Sequence, residues 1–206
     1  MPLDTRTTLL ETALELIWSS NYNSVGVNEM CKRAGVTKGC FYHHFDSKVE
    51  LFCQATEYYW EKIKQELDAL LSPINSPLEQ LEQWIALIFS NKIGDDIERM
   101  PGCAFFNAGA QTGCGEARIT ETLQLMMERG AKYNLALVRN LESGGYLTPV
   151  DDAPQIARLM QQYIHGFISY SGIARNMENA RKDLPVGIYR LIGLKTQYWH
   201  STDRSA

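Results

Sequence analysis

Apolar residues recur along this chain at spacings of three and four, the period of an α-helix, while strict strand-type alternation is scarce. Leu9, Leu10, Ala13, Leu14 and Ile17 mark the inward stripe of a first helix over residues 5–19. Val27, Met30, Cys31 and Ala34 repeat the spacing in a short second helix. A long helix from Ser47 to Leu71 places Leu51, Ala55, Ile63, Leu67 and Leu70 on one side. Ser72-Pro73-Ile74-Asn75-Ser76-Pro77 then interrupts the pattern and reads as a boundary. Beyond it the pattern predicts helices over 77–91, 102–112 and 116–143, the last ended by Gly144-Gly145. Asp152 and Pro154 open another that runs to Asn176, and Pro185 opens a final one ending near Trp199. The expected fold is all-α, with about nine helices. A helix-turn-helix head spans 1–50 and a larger body 51–206, and helix 47–71 connects them.

The segment GVNEMCKRAGVTKGCFYHHFDSK, residues 26–48, carries the most specific signal. Gly35 suits a sharp turn, because glycine adopts positive φ without steric penalty. Thr37 is an N-cap for the next helix, which Lys38, Tyr42, His43 and His44 line with donors and an aromatic ring. Ser47 and Glu50 spell the S-x-x-E capping box that opens the long helix after Phe45. Two short helices across such a turn form a helix-turn-helix, a device for putting one helix end into the DNA major groove. Tyr42 offers a hydroxyl to phosphate, and Lys38 and Lys48 offer charge. Lys48 also opens a helix whose first N–H groups favour an anion.

Charge refines this picture. The 206-residue chain has a formal charge of −4, which argues against indiscriminate nucleic-acid binding. Within residues 26–48, four bases (Lys32, Arg33, Lys38, Lys48) face two acids (Glu29, Asp46), a local excess of +2. Phosphate contacts can therefore be local while the remainder stays acidic. The opening MPLDTRTTLLETALELIW has no basic region followed by an apolar run, so no secretory leader is expected. No apolar run approaches the roughly 18 residues of a membrane span. Five cysteines without framework spacing fit a reduced compartment, and the expected location is the cytoplasm.

At Gly35-Val36-Thr37-Lys38-Gly39-Cys40-Phe41-Tyr42-His43-His44-Phe45-Asp46-Ser47-Lys48, with Leu51 following, the sequence resembles the TetR family of bacterial transcription regulators. The upstream helix from Leu9 to Ile17 fits as well. The resemblance implies base contacts from Lys38, Gly39, Cys40 and His43, and backbone or phosphate support from Thr37, Tyr42, His44 and Lys48. Gly26 and Val27 open the first helix of the motif, and Gly26 stands where the family usually has a hydroxyl residue that caps the helix and touches phosphate. Cys40 stands where threonine or serine is common. The implied function is a ligand- or thiol-responsive regulator, a repressor, that binds a near-palindromic double-stranded DNA operator as a homodimer.

In the body, aromatic residues alternate with polar ones. Tyr59, Trp84, Phe105, Phe106, Asn107, Gln111, Gln162 and His165 are candidates for lining an apolar pocket with a few converging polar groups, suited to a small effector. The resemblance places such a pocket among the body helices. Helices 152–176 and 185–199 carry more apolar surface than one packing face needs, and family members pair such helices across a two-fold axis. Effector binding or thiol modification would then act by displacing helix 47–71.

Cys103 and Cys114 flank PGCAFFNAGAQTGCG and are candidate redox or electrophile sensors. On one helix, eleven residues at about 1.5 Å each would hold them roughly 16 Å apart. A disulfide needs Cα atoms within about 7 Å, so a single reactive thiolate is the favoured form. The glycines there do not make a phosphate loop, for no strand precedes them and no Gly-Lys-Ser/Thr ends them. Cys40, His43 and His44 fall on one helix without a fourth ligand, so no metal is expected, and no other cofactor is implied. A helical enzyme lacks a nucleophile–base pair or a close carboxylate pair. A constitutive DNA-binding regulator without an effector remains the alternative within the same class.

Overall fold

A computed structural model describes residues 4–19, 24–90, 105, 107, 116–149 and 152–199. Among these residues the chain is all-α. The helices whose bounds fall among them are α1 (Thr5–Trp18), α2 (Val27–Ala34), α3 (Lys38–His44), α4 (Lys48–Leu70), α5 (Pro77–Ile88), α6 (Ala117–Ser143), α7 (Ala153–Ala174) and α8 (Met177–Ile192). A 3-10 turn, Thr196–Tyr198, follows. Two compact units divide the chain: Met1–Gln65 with Cys103–Met127, and Glu66–Gly102 with Glu128–Ala206.

In the first unit, Asp4 caps α1 by accepting a hydrogen bond from the Thr7 N–H at 3.0 Å. Leu9, Leu10, Ala13, Leu14 and Ile17 are all buried, as the helical period predicts. They pack in one cluster with Met30 and Cys31 of α2, Phe41 of α3, Phe45, and Leu51, Phe52 and Ala55 of α4. Phe105 and the α6 residues Ile119 and Leu123 belong to this cluster too. The core under the helix-turn-helix is thus completed by residues far downstream in sequence. The α4 start is half of the expected capping box. Ser47 Oγ accepts from the Glu50 N–H at 3.0 Å, while the Glu50 carboxylate turns to Gln54 and Arg118.

In the second unit, Ser76 and Glu79 make a complete capping box at the start of α5, with Pro77 in the first turn. Gln80 is buried and fully used: its amide nitrogen donates to the Ser72 and Asn75 carbonyls at 3.2 and 3.1 Å. Its amide oxygen accepts from Asn140 Nδ2 of α6 at 2.8 Å. Gly145 and Gly193, both at positive φ, end α6 and α8. The two ends meet where Leu147 bridges Leu194 antiparallel.

Two boundaries differ from the sequence-based expectation. Pro185 does not open the last helix but lies inside α8. The helix starts at Met177 because Asn176 caps it, accepting from the Asn179 N–H at 3.0 Å. Pro185 lacks an N–H, so it removes one helical hydrogen bond without supplying a start signal of its own. The stretch 185–199 is therefore the second half of α8, the Gly193 turn and the 3-10 turn. Helix 152–176 is α7, Ala153–Ala174, capped by Asp152. The α7–α8 pairing has one tight point, where Tyr163 lies over Gly187 so closely that a Cβ there would collide with its ring.

Candidate nucleic-acid interface

The turn between α2 and α3 forms as glycine chemistry dictates. Gly35 has φ +66° and ψ +29°, the left-handed region. Its N–H bonds the Lys32 carbonyl at 3.2 Å, and the Val36 N–H bonds the Cys31 carbonyl at 2.9 Å. This paired closure is the Schellman end of a helix. Lys32 and Arg33 sit in that last turn, where cations suit the helix dipole. Arg33 is partly engaged by Glu29 at 3.1 Å.

Helix α3 begins with Thr37, whose Oγ accepts from the Cys40 N–H at 3.2 Å. Phe41 is wholly buried and anchors the helix on the core. With Phe41 inward, Lys38, Gly39, Cys40, Tyr42 and His43 all face solvent. Tyr42 is 55% exposed although its ring packs edge-on to Phe41 at 5.1 Å, leaving its hydroxyl outward. His44 is half-buried, its ring 4.9 Å from His43 and 6.3 Å from Phe45. A seven-residue helix with donors on its outer side fits the major groove, about 12 Å wide.

The other candidates fall around this face. Lys48 is half-buried at the first position of α4, and burial pushes its ammonium below the ordinary lysine range. Gly26 is the N-cap of α2 and offers it no side-chain hydrogen bond. A Cβ at Gly26 would meet nothing within 4 Å, so the space for a hydroxyl is present. Val27 is half-buried and packs on the core. Cys40 is a free, exposed thiol, and no cluster of metal-binding residues occurs among the described residues.

Gly39 is the informative position. A side chain there would meet only the Thr37 hydroxyl at 3.7 Å, an ordinary contact, and the fold makes no demand for glycine. Gly39 is the second residue of α3, and glycine in a helix is less favourable than alanine, by up to about 1 kcal/mol in an interior and less in a first turn. Gly39→Ala is therefore expected to raise the melting temperature and, if this side of α3 enters the groove, to weaken DNA binding. Thermal denaturation and fluorescence anisotropy on the same preparation check both halves.

The pocket and sensor candidates are distributed between the units. Tyr59 and Phe105 stack in the first unit at 4.9 Å, joined by Trp18 at 5.6 and 5.8 Å. Trp18, the last residue of α1, comes to these rings only through packing of residues distant in sequence. In the second unit Trp84 is buried on α5, and on α7 His165 is half-buried and Gln162 exposed. Asn107 is half-buried and helical. Phe106, Gln111, Cys103 and Cys114 lie outside the described residues.

Comparison with known proteins agrees with this geometry. Residues 9–55 match the family described as bacterial regulatory proteins, tetR family. The chain is 26% identical over 170 residues to the uncharacterized HTH-type transcriptional regulator YxaF of Bacillus subtilis, covering 82% of this chain and 85% of that one. It is 27% identical over 144 residues to the HTH-type transcriptional repressor NemR of Escherichia coli, covering 68% and 69%. The crystal structure of a TetR regulatory protein from Rhodobacter sphaeroides superposes with a TM-score of 0.75 at 26% identity, over 91% of this chain and 96% of that one. Among the described residues no helix is long and apolar enough to cross a membrane. With a helix-turn-helix that presents donors outward from a buried phenylalanine anchor, residues 9–55 of this chain form the DNA-binding domain of the tetR family of bacterial regulatory proteins, and the chain is a DNA-binding transcriptional regulator.

Proposed function

We propose that the protein is a homodimeric repressor that binds a near-palindromic operator through α3 and releases it in response to an effector held in the body. The observation that carries the DNA contact is the outward set Lys38, Gly39, Cys40, Tyr42 and His43 above the buried Phe41. Thr37, His44 and Lys48, with Gly26 and Val27 at the start of α2, support the backbone and the phosphates. Repression as the mode of action draws on NemR, which is named as a repressor.

The dimer reading rests on α7. Tyr170 is 71% and Ile173 84% exposed, and Leu159 is exposed on the same side. Residues 159, 166, 170 and 173 follow helical spacing, so they form one stripe. Gly166 within it has open space where a Cβ would stand, room for a second helix to approach. Paired with α8, this face suits a second copy of the chain, placing two recognition helices about 34 Å apart along the DNA.

The effector is a small molecule recognised by aromatic surface with a few polar groups, or an electrophile acting on Cys103 or Cys114. Domain roles follow: 1–50 reads DNA, and 51–206 pairs and senses. The test is a reporter driven through the operator in cells. Deleting the gene raises expression if the protein represses, and lowers or leaves it unchanged if it does not. Adding a thiol reagent then relieves repression in the parent but not in Cys103→Ser if the sensor is that thiol.

A further inference from the structure

We propose that a four-residue polar relay, Arg6, Gln54, Glu50 and Arg118, positions the recognition helix, with Gln54 and Arg118 as positioning residues for DNA binding. The inference rests on the DNA-binding reading and adds to it residues that touch no DNA. Arg6 of α1 donates to Gln54 Oε1 of α4 at 2.6 Å. Gln54 Nε2 donates to Glu50 Oε1 one turn earlier at 2.6 Å. The other Glu50 oxygen accepts from the Arg118 guanidinium at the start of α6. At its far end the relay reaches α3, because the Arg6 guanidinium lies over the Phe45 ring at 5.8 Å, and Phe45 is the residue that ends α3. A second tie runs alongside, the Cys53 thiol donating to the Arg118 carbonyl at 3.7 Å.

The chemistry of the relay is directional. Arginine can only donate and an ionised glutamate can only accept, so the Gln54 amide is held in one orientation between them. Both Glu50 oxygens are engaged, and Gln54 and then Arg118 hold its carboxyl below the ordinary carboxylate range. Glu50 lies in the first turn of α4, next to Lys48 and the Ser47 cap. One continuous set of contacts therefore joins α1, α4 and α6 to the end of the helix that reads DNA. Partly exposed ion pairs contribute little to stability. What this relay governs is orientation.

The test uses Gln54→Met, which keeps length, helix propensity and net charge while removing both hydrogen bonds. Operator duplex is first selected from random-sequence DNA by the full-length protein. Affinity is then measured over a salt series well below the melting transition, where a modest loss of stability leaves the folded population intact. Gln54→Met is expected to weaken operator binding by about three- to tenfold. The slope of log K against log salt should not change. Arg118→Met should weaken binding similarly, and the double variant should be no worse than the weaker single one, because both break the same chain.

Parent-like binding by Gln54→Met overturns the inference. So do effects that multiply in the double variant. An Arg118→Met slope reduced by about 0.9, the signature of one lost phosphate contact, overturns the positioning role as well. A parent protein that selects no duplex at all overturns the DNA-binding reading itself, an outcome distinct from these.

Discussion

Phe41→Ala is expected to abolish DNA binding although the ring touches no DNA. Phe41 is wholly buried, with Tyr42 edge-on at 5.1 Å and Phe45 at 6.0 Å. It is the buried residue of α3, a helix of only seven residues. Truncating a buried phenylalanine removes about 3–5 kcal/mol, from transfer energy and the cavity left behind. A domain of ordinary stability, about 5–15 kcal/mol in total, loses a large share of it. Amide exchange should speed up through α2 and α3, and a melting transition should move to lower temperature. Phe41→Leu, which refills much of the volume, should recover most of the binding. Full operator affinity in Phe41→Ala would mean that α3 is held by something other than this anchor.

The second large effect concerns the dimer. Tyr170→Asp together with Ile173→Asp puts two charges on the exposed stripe of α7, where the folded monomer has little to lose because both side chains already face solvent. If that stripe pairs with a second copy, two carboxylates per chain become desolvated against their twins, and association fails. Losing the second half-site contact weakens operator binding by about a hundredfold or more, since linked sites gain that much from effective concentration. Sedimentation should report a monomer with a parent-like helical spectrum. A variant that remains dimeric would move the interface off this stripe.

Much of the fold is legible in the sequence because helical period and helix ends are local properties. Leu9 to Ile17, the turn at Gly35 and the Thr37 cap depend on residues within a few positions of each other, and all are found where the pattern puts them. Pro185 shows where local signals mislead. Proline marks a first helical turn statistically, but Asn176 caps the chain earlier, and the proline is carried inside α8. The expected Ser47 and Glu50 box is half made for a different reason: the Glu50 carboxylate finds Arg118, 68 residues away.

No spacing rule reveals a partner at that distance. Arg6 and Gln54 are similarly 48 residues apart, so the relay exists only once the helices are packed. Phe105 and Trp18 meet for the same reason. Within the candidate interface the outward residues of α3 are legible in the sequence only through the family resemblance, and the buried Phe41 supplies the physical reason, since it turns the opposite side of the helix outward. The sequence pattern says nothing, by contrast, about Gly39 being free of steric demand. That follows only from the neighbours that surround it.

Whether the α2–α3 unit reads DNA sequence is decided by selecting duplexes from a random library with the purified protein. Anisotropy of the enriched duplex against excess competitor DNA then measures its preference. The expected result is enrichment of a near-palindrome with half-sites about one helical turn apart. Binding should survive competitor and weaken sharply in Lys38→Ala. A library that emerges without a consensus, or a consensus bound no better than competitor, would contradict it.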